Sequence, residues 1–307
     1  MTASDKSYSV ICFGETLWTT LPAGLISGGA PVNLAYHLKK LGVEPALITR
    51  VGQDDPGKRM VNMVDGYGLS TEFFQVDFDL ETGRINMNRR EQDAPVYDIP
   101  YPAAWDRISW DKDFDRLLTG ASYFVFGNQA CRSTVSRETL FRLAAEARFR
   151  IFNVAAGPRC LNRAVMEHLL PGTFLLKLGL DELELMTGWF AGYRNEADRI
   201  RAIQEKFSIQ HVIVTKGMRG ASWRLGPPLS APRGPLAAPA NEGADNEAFL
   251  AAVISKLIVR APPEEALDLG CRLHAFIASC ETIYPDYSVE KPLNQIKSLW
   301  NEENLKD

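Results

Sequence analysis

Histidine and cysteine are scarce in this chain, with four histidines and five cysteines among 307 residues. Cys12, Cys131, Cys160, Cys271 and Cys280 are odd in number, widely spaced and form no CxxC pair. That pattern speaks against a zinc site and against a secreted disulfide framework, and it fits thiols kept reduced in the cytoplasm. No apolar run approaches the ~18 residues that a membrane span requires. The stretch from Met1 to Ser9 is polar, so no signal peptide is expected. Charge of one sign does not accumulate either: the formal net charge is -4 and both signs are spread along the chain. Nucleic acid would call for a basic stripe and a membrane surface for a basic amphipathic run, and neither is found. No GxGxxG follows the first apolar run, which argues against a nicotinamide enzyme on a dinucleotide-binding sheet. No internal repeat is visible.

What is present is an ordinary globular composition, 46% hydrophobic and 23% charged. The length allows one large α/β domain or two smaller ones, able to bury about 75% of the unfolded surface without disulfides or metal. Short apolar runs read as buried strands: 8–14, 46–52, 123–127, 151–154, 174–178 and 211–215. Helical patterns lie between and after them, at 33–41 (closed by Gly42), 136–147 with Ser136 as candidate N-cap, 198–207 and 247–259. Alternation of this kind predicts a parallel sheet covered on both faces.

Two segments interrupt the alternation, about 17–27 and 84–100. They are polar and β-prone, and are either a small antiparallel flap or two surface loops. The stretch 226–243, rich in proline, glycine and alanine, reads as a loop or a poorly paired edge.

Three spaced blocks carry more specific information. Gly28-Gly29-Ala30-Pro31-Val32-Asn33-Leu34-Ala35 is followed by Leu41-Gly42 and then by Gly52-Gln53-Asp54-Asp55-Pro56-Gly57. Paired glycines let backbone approach a ligand closely, and Asn33 offers both a donor and an acceptor to hydroxyls. The blocks resemble the first signature of ribokinase-family (PfkB) carbohydrate kinases. Phe13-Gly14-Glu15, Leu17-Trp18, Ala104-Trp105-Asp106, Ser136-Arg137-Glu138-Thr139-Leu140, Leu176-Lys177-Leu178 and Glu182-Leu183 resemble the bacterial fructokinases in particular. Thr215-Lys216-Gly217-Met218-Arg219-Gly220-Ala221 matches the nucleotide-side turn, and Ala248-Phe249-Leu250-Ala251-Ala252 the start of the helix after the catalytic loop.

The resemblance covers nearly the whole chain. It implies one domain over 1–307, a ribokinase-like three-layer αβα sandwich with a mostly parallel central sheet and a small β lid at 17–27 and 84–100. It implies ATP with Mg²⁺ as cofactors and a small-molecule sugar as partner. Sugar would meet Thr19, Gly28, Gly29, Asn33 and Tyr97, and nucleotide would meet Glu182, Thr215, Gly217, Gly220, Gly243 and Ala244. A homodimer through lid strands would also follow, since exposed strand edges invite pairing. Beside these roles stand plainer readings: Trp18, Trp105 and His37 as packing residues, Tyr97 as an exposed aromatic, and Lys216 as a solvated turn lysine.

The chemical motifs depart from the family. Its catalytic loop reads Asp-Thr-x-Gly-Ala-Gly-Asp, with backbone amides that hold the transferred phosphoryl group and a final Asp as base. Here an ungapped match places Asn241-Glu242-Gly243-Ala244-Asp245-Asn246-Glu247, so Glu247 stands at the base position, and a one-residue shift puts Asn246 there. Asn cannot serve as base. The longer Glu moves a carboxylate by ~1.5 Å, and misplacement by about 1 Å can cost about 100-fold. Glu242, Asp245 and Glu247 also put three negative charges where polyphosphate should bind, at about 4 kcal/mol per like-charge contact at ~4 Å and an effective dielectric near 20. Alternatively, Asp245 or Asn246 caps the helix. Thr19 replaces an aspartate, Gly179 replaces the asparagine of an Asn-x-x-Glu motif, and Glu281-Thr282 replaces Gly-Ala. In the run from Asn153 to Gly157 an asparagine and an arginine of relatives are missing. Two readings stand: a weakly active or inactive kinase fold that binds a sugar or a partner, and an active sugar kinase with Glu247 as base.

Overall fold

The computed structural model describes residues 7–21, 24–88, 96–154, 161–190, 192, 195–224, 228–230 and 244–288. The chain divides into two compact units, Met1–Ala35 with Glu44–Arg150, and Tyr36–Val43 with Ile151–Asp307.

The first unit runs β1 (Val10–Phe13), β2 (Leu17–Leu21), β3 (Gly24–Gly28), α1 (Ala30–Lys40, its end in the second unit), β4 (Pro45–Gly52), α2 (Asp55–Gly66) and β5 (Phe74–Asp77). It continues through β6 (Gly83–Asn88), β7 (Val96–Asp98), α3 (Asp113–Gly120), β8 (Tyr123–Gly127) and α4 (Thr134–Glu146). β1 pairs in parallel with β4 and β8, and β4 with β5. Every side chain of β1 is buried, which explains why it reads as an unbroken apolar run rather than an alternating one.

The two excursions form a small four-stranded sheet, ordered β3-β2-β6-β7. It is not the antiparallel flap expected. β2 with β3 and β6 with β7 are antiparallel, but β2 with β6 is parallel. A parallel pair needs a long crossover, and the chain from β3 to β5 supplies it. The exit from β7 is tied down by Arg132, which donates Nε to Asp106 Oδ1 (2.7 Å) and Nη2 to Asp106 Oδ2 (2.6 Å). The same guanidinium bonds the carbonyls of Ile99 and Pro100 and lies 3.9 Å above the Trp105 ring.

Helix starts differ from the sequence expectations in one direction: each begins earlier. Ser136 does not cap α4, because its hydroxyl is buried, accepting from Ile108 N (2.9 Å) and donating to Trp105 O (2.7 Å); Ser133 occupies the N-cap position. The first turns of α4, α7 and α8 carry polar residues that apolar periodicity does not register.

The second unit contains β9 (Phe149–Asn153, its first two residues in the first unit), α5 (Arg163–Leu169), β10 (Leu175–Gly179), α6 (Leu180–Gly188), α7 (Glu196–Phe207) and β11 (His211–Thr215). Then come β12 (Ala221–Arg224), β13 (Pro228–Ser230), α8 (Ala244–Ile258) and α9 (Pro263–Ala278). β9, β10 and β11 are parallel neighbours, and β12 and β13 add antiparallel strands. Of the stretch 226–243, Pro228–Ser230 is thus a paired edge and the rest lies outside the described residues. α8 and α9 pack closely where Gly270 faces Phe249: a Cβ at Gly270 would lie 2.9 Å from that ring. His37, fully buried, meets Tyr287 OH through Nδ1 at 2.9 Å, and burial pushes its pKa down to about 3, the behaviour of a packing residue. Among the described residues no helix is long and apolar enough to cross a membrane.

Candidate functional site

In the first unit the glycine–asparagine block closes β3 and opens α1. Gly29 has φ +111°, and a Cβ there would collide with the Glu15 carbonyl, so glycine is required. Asn33 is buried in the first turn of α1, and its N–H bonds Gly29 O at 3.1 Å. Ala30 N–H points at Glu15 Oε1, 3.3 Å away. Burial pushes the Glu15 carboxyl up to about 6, against the pull of its own and the Ala30 backbone amides and of Arg132. Gly28, Gly29, Asn33 and the carboxyl of Glu15 therefore gather at one turn. Thr19 sits half-buried on β2, two residues beyond Leu17, which pairs with Gly28. The backbone of Tyr97 belongs to β7, opposite Met87, and its side chain lies outside the described residues.

The second glycine block is architectural. Asp54 caps α2 at Gly57 N (2.8 Å) and accepts from Thr82 N and Oγ1 at 2.9 and 2.6 Å. Side chains at Gly52 or Gly57 would collide with the backbone of 80–82 or of Gly52 itself. Trp18 donates Nε1–H to Pro56 O at 3.0 Å and Trp105 is fully buried, so both are packing residues.

In the second unit, Asp245, Asn246 and Glu247 occupy the first turn of α8. The Asn246 backbone N–H donates to Asp245 Oδ1 at 2.9 Å, and Asp245 Oδ2 lies 3.6 Å from His274 Nε2 on α9. Glu247 is buried and accepts from Asn153 Nδ2 at 3.3 Å, while Asn153 Oδ1 is buried with no hydrogen-bond partner among the described residues. Lys177, on β10 and only 3% exposed, donates Nζ–H to Asn246 Oδ1 at 3.3 Å. Burial lowers the Lys177 pKa, opposed by the negative charges of Glu247, Glu182 and Asp245 in that order. Gly179 holds the N-cap position of α6, and a Cβ there would collide with the Glu182 carboxylate. The carboxylate occupies the space that an asparagine side chain would enter.

Four expected residues, Glu182, Asp245, Asn246 and Glu247, are thus gathered around Lys177. Thr215 ends β11 with its hydroxyl 3.4 Å from Leu178 O. Gly217 and Gly220, with φ of +55° and +79°, shape the turn that follows. Lys216 in that turn is paired with Glu196 Oε1 at 2.7 Å, not a solvated lysine. Gly243 lies outside the described residues, and Ala244 opens α8. Sequence reasoning did not single out Glu15, Asn153 or Lys177 as site residues. The signal for Lys177 was a charge inside the apolar run 174–178.

At the phosphate end one of the expected backbone donors is engaged. A phosphoryl group would need the amides of the α8 first turn, and the Asn246 amide is already bonded to a carboxylate. Magnesium in such sites is held by one or two carboxylates together with substrate phosphates and water. Among the described residues no group of three or more His, Cys, Asp or Glu side chains is placed to hold an ion.

Comparison with known proteins gives the class first. The fold matches a fructokinase from Xylella fastidiosa with a TM-score of 0.79 and 15% identity, over 95% of this chain and 99% of that one. It matches an aminoimidazole riboside kinase from Salmonella enterica, solved with aminoimidazole riboside and an ATP analogue, with a TM-score of 0.74 and 18% identity, over 94% and 99%. The fold is therefore α/β and ribokinase-like, with a mostly parallel sheet and a small β lid. The chain belongs to the pfkB family of carbohydrate kinases, which it matches over residues 5–286. Among curated proteins, the bifunctional protein HldE of Pseudomonas aeruginosa is 21% identical over 192 residues, 62% of this chain and 39% of that protein. The chain spans well under half the length of the curated relatives it matches.

Proposed function

We propose that this chain is a sugar-binding member of the family whose phosphoryl-transfer end is closed, so that it is weakly active or inactive as a kinase. One observation carries the reading: the Asn246 amide, at the family's phosphate cradle, is engaged by the Asp245 carboxylate. A negative charge held at a helix N-terminus is itself favourable, and it competes with any phosphate for the same donors. The first-unit turn at Gly28, Gly29 and Asn33 supports retained sugar binding, because its close backbone approach is intact. Within this reading the protein works in the cytosol, where its free thiols stay reduced, and pairs through its lid strands.

The alternative is an active kinase in which Glu247 takes the proton of a sugar hydroxyl. The buried Glu247 carboxylate, held by Asn153 Nδ2, favours it. Calorimetric titration with ATP, with and without Mg²⁺, separates the two. Absence of binding at millimolar ATP is expected. Micromolar binding, together with sugar-dependent ADP release abolished by Glu247→Ala, would establish the active kinase instead.

A further inference from the structure

We propose that the segment 284–287 is an acid-released clasp on the end of α1, closed while His37 is neutral and opened when its imidazole gains a proton. The inference goes beyond the reading of a closed phosphate end and does not depend on it.

The clasp is built from four successive residues, and all of its contacts lie within the second unit. Tyr284 sets its ring edge-on against Tyr36, with centroids 5.0 Å apart. Tyr36 OH donates to the Pro285 carbonyl at 2.7 Å. Asp286 Oδ1 pairs with Lys40 Nζ at 2.6 Å. Tyr287 OH meets His37 Nδ1 at 2.9 Å, and the two rings are stacked. Tyr287 also lies edge-on against Phe276 of α9, with 5.6 Å between centroids. These contacts are not equal. The Asp286 side chain is almost fully exposed, so its ion pair with Lys40 contributes little. Tyr36, His37 and Tyr287 are buried, and closure rests on them. The helix so held is the one whose first turn carries Asn33.

His37 is the member of the clasp whose charge changes in mild acid. Its ring is inaccessible, Nδ1 is taken by Tyr287, and Nε2 is buried with no hydrogen-bond partner among the described residues. The ionisable groups around it are the Tyr36 and Tyr287 phenols, the Cys280 thiol near Tyr287, and the Lys40–Asp286 pair. Phenols and thiol are neutral in acid, Lys40 is itself a cation, and Asp286 is bound to it. A proton added to the closed ring would therefore leave a buried cation whose Nε2–H has nothing to donate to. In the open form the ring meets water. Burial pushes the pKa of the closed form down to about 3 from an ordinary 6.5, so below 6.5 the open form takes up a proton that the closed form refuses. Opening is then favoured about tenfold more for each further pH unit, until the closed form itself titrates.

The full chain tests this without any ligand. Chymotrypsin cuts after Tyr287 only in the open form. The rate of that cut, divided by the rate for a free peptide of the same sequence at the same pH, follows the open population. This ratio is expected to rise about tenfold from pH 7 to pH 5.5, while the cut after the exposed Phe78 keeps its own ratio. His37→Asn keeps a polar atom for Tyr287 but binds no proton, and is expected to give one ratio at both pH values. Lys40→Ala removes the exposed ion pair and is expected to retain the full acid response. An unchanged ratio in the natural chain, or an acid response that survives in His37→Asn, overturns the proposal. Should His37→Asn fail to fold, the natural chain decides by its slope. A single proton gives about tenfold per pH unit below pH 6, and a flat dependence or one of about 100-fold per unit overturns the clasp.

Discussion

A carboxyl group buried beside the Gly29–Ala30 turn makes stability depend on pH in mildly acidic solution. Glu15 is raised from its ordinary 4.5 to about 6 by burial, so the folded protein retains a proton that the unfolded chain has released. Its contribution is fully present below the unfolded value and is lost as pH rises through 6. Glu15→Gln is therefore expected to stabilise the protein at pH 7 by on the order of 2 kcal/mol and to have little effect near pH 4. Urea melts of both proteins at the two pH values check the sign. Residues of this kind were only partly legible in the sequence. Gly29 declared itself, because paired glycines before a helix have a backbone reason to be there. Lys177 stood out as a charge in an apolar run, but its partner Asn246 lies 69 positions away, and no local pattern connects them. The bond from the Asn246 amide to Asp245 was visible only as a general capping preference.

At the level of elements, the lid shows how far pattern reasoning reaches. Alternation and polarity located both segments, and their pairing into one sheet followed from the family resemblance. The parallel β2–β6 contact did not, since register and direction depend on where intervening elements deliver each strand. The chain leaving β7 is held by an ion pair: Asp106 is 1% exposed and bound at both oxygens by Arg132. Arg132→Met leaves that carboxylate buried without its partner and is expected to cost about 3–5 kcal/mol. Asp106→Asn combined with Arg132→Met should recover part of the loss. Guanidinium unfolding of the single and double variants measures both. Asp106 of the Ala104–Asp106 motif therefore anchors, through Arg132, the chain leaving β7.

For the molecule as a whole, alternating strands and helices were readable because parallel strands buried on both faces have no polar side to disguise them. Strand order was not, because the β1, β4 and β8 runs are alike in composition and nothing local tells which two are neighbours. The division into two compact units was left open by chain length alone. The scarcity of cysteine pairs predicts how the chain responds to reductant: Cys12, Cys131, Cys271 and Cys280 are free thiols, so no cross-link joins the described residues to limit the unfolded ensemble. The melting temperature is expected to be unchanged by dithiothreitol, and a scan with and without it would reveal any shift.

From Ala248 to Ile254 every side chain of α8 is essentially inaccessible to water, and the helix is held against α9 through the Phe249–Gly270 contact. The polar residues that set the chemistry are confined to the turn before it. The apolar body of α8 and its polar first turn are thus encoded in separate stretches of one helix, though Asp245, Asn246 and Glu247 also hold His274, Lys177 and Asn153. For a protein engineer the positions to randomise in order to alter phosphoryl transfer are the four from Ala244 to Glu247, a library small enough to screen in full.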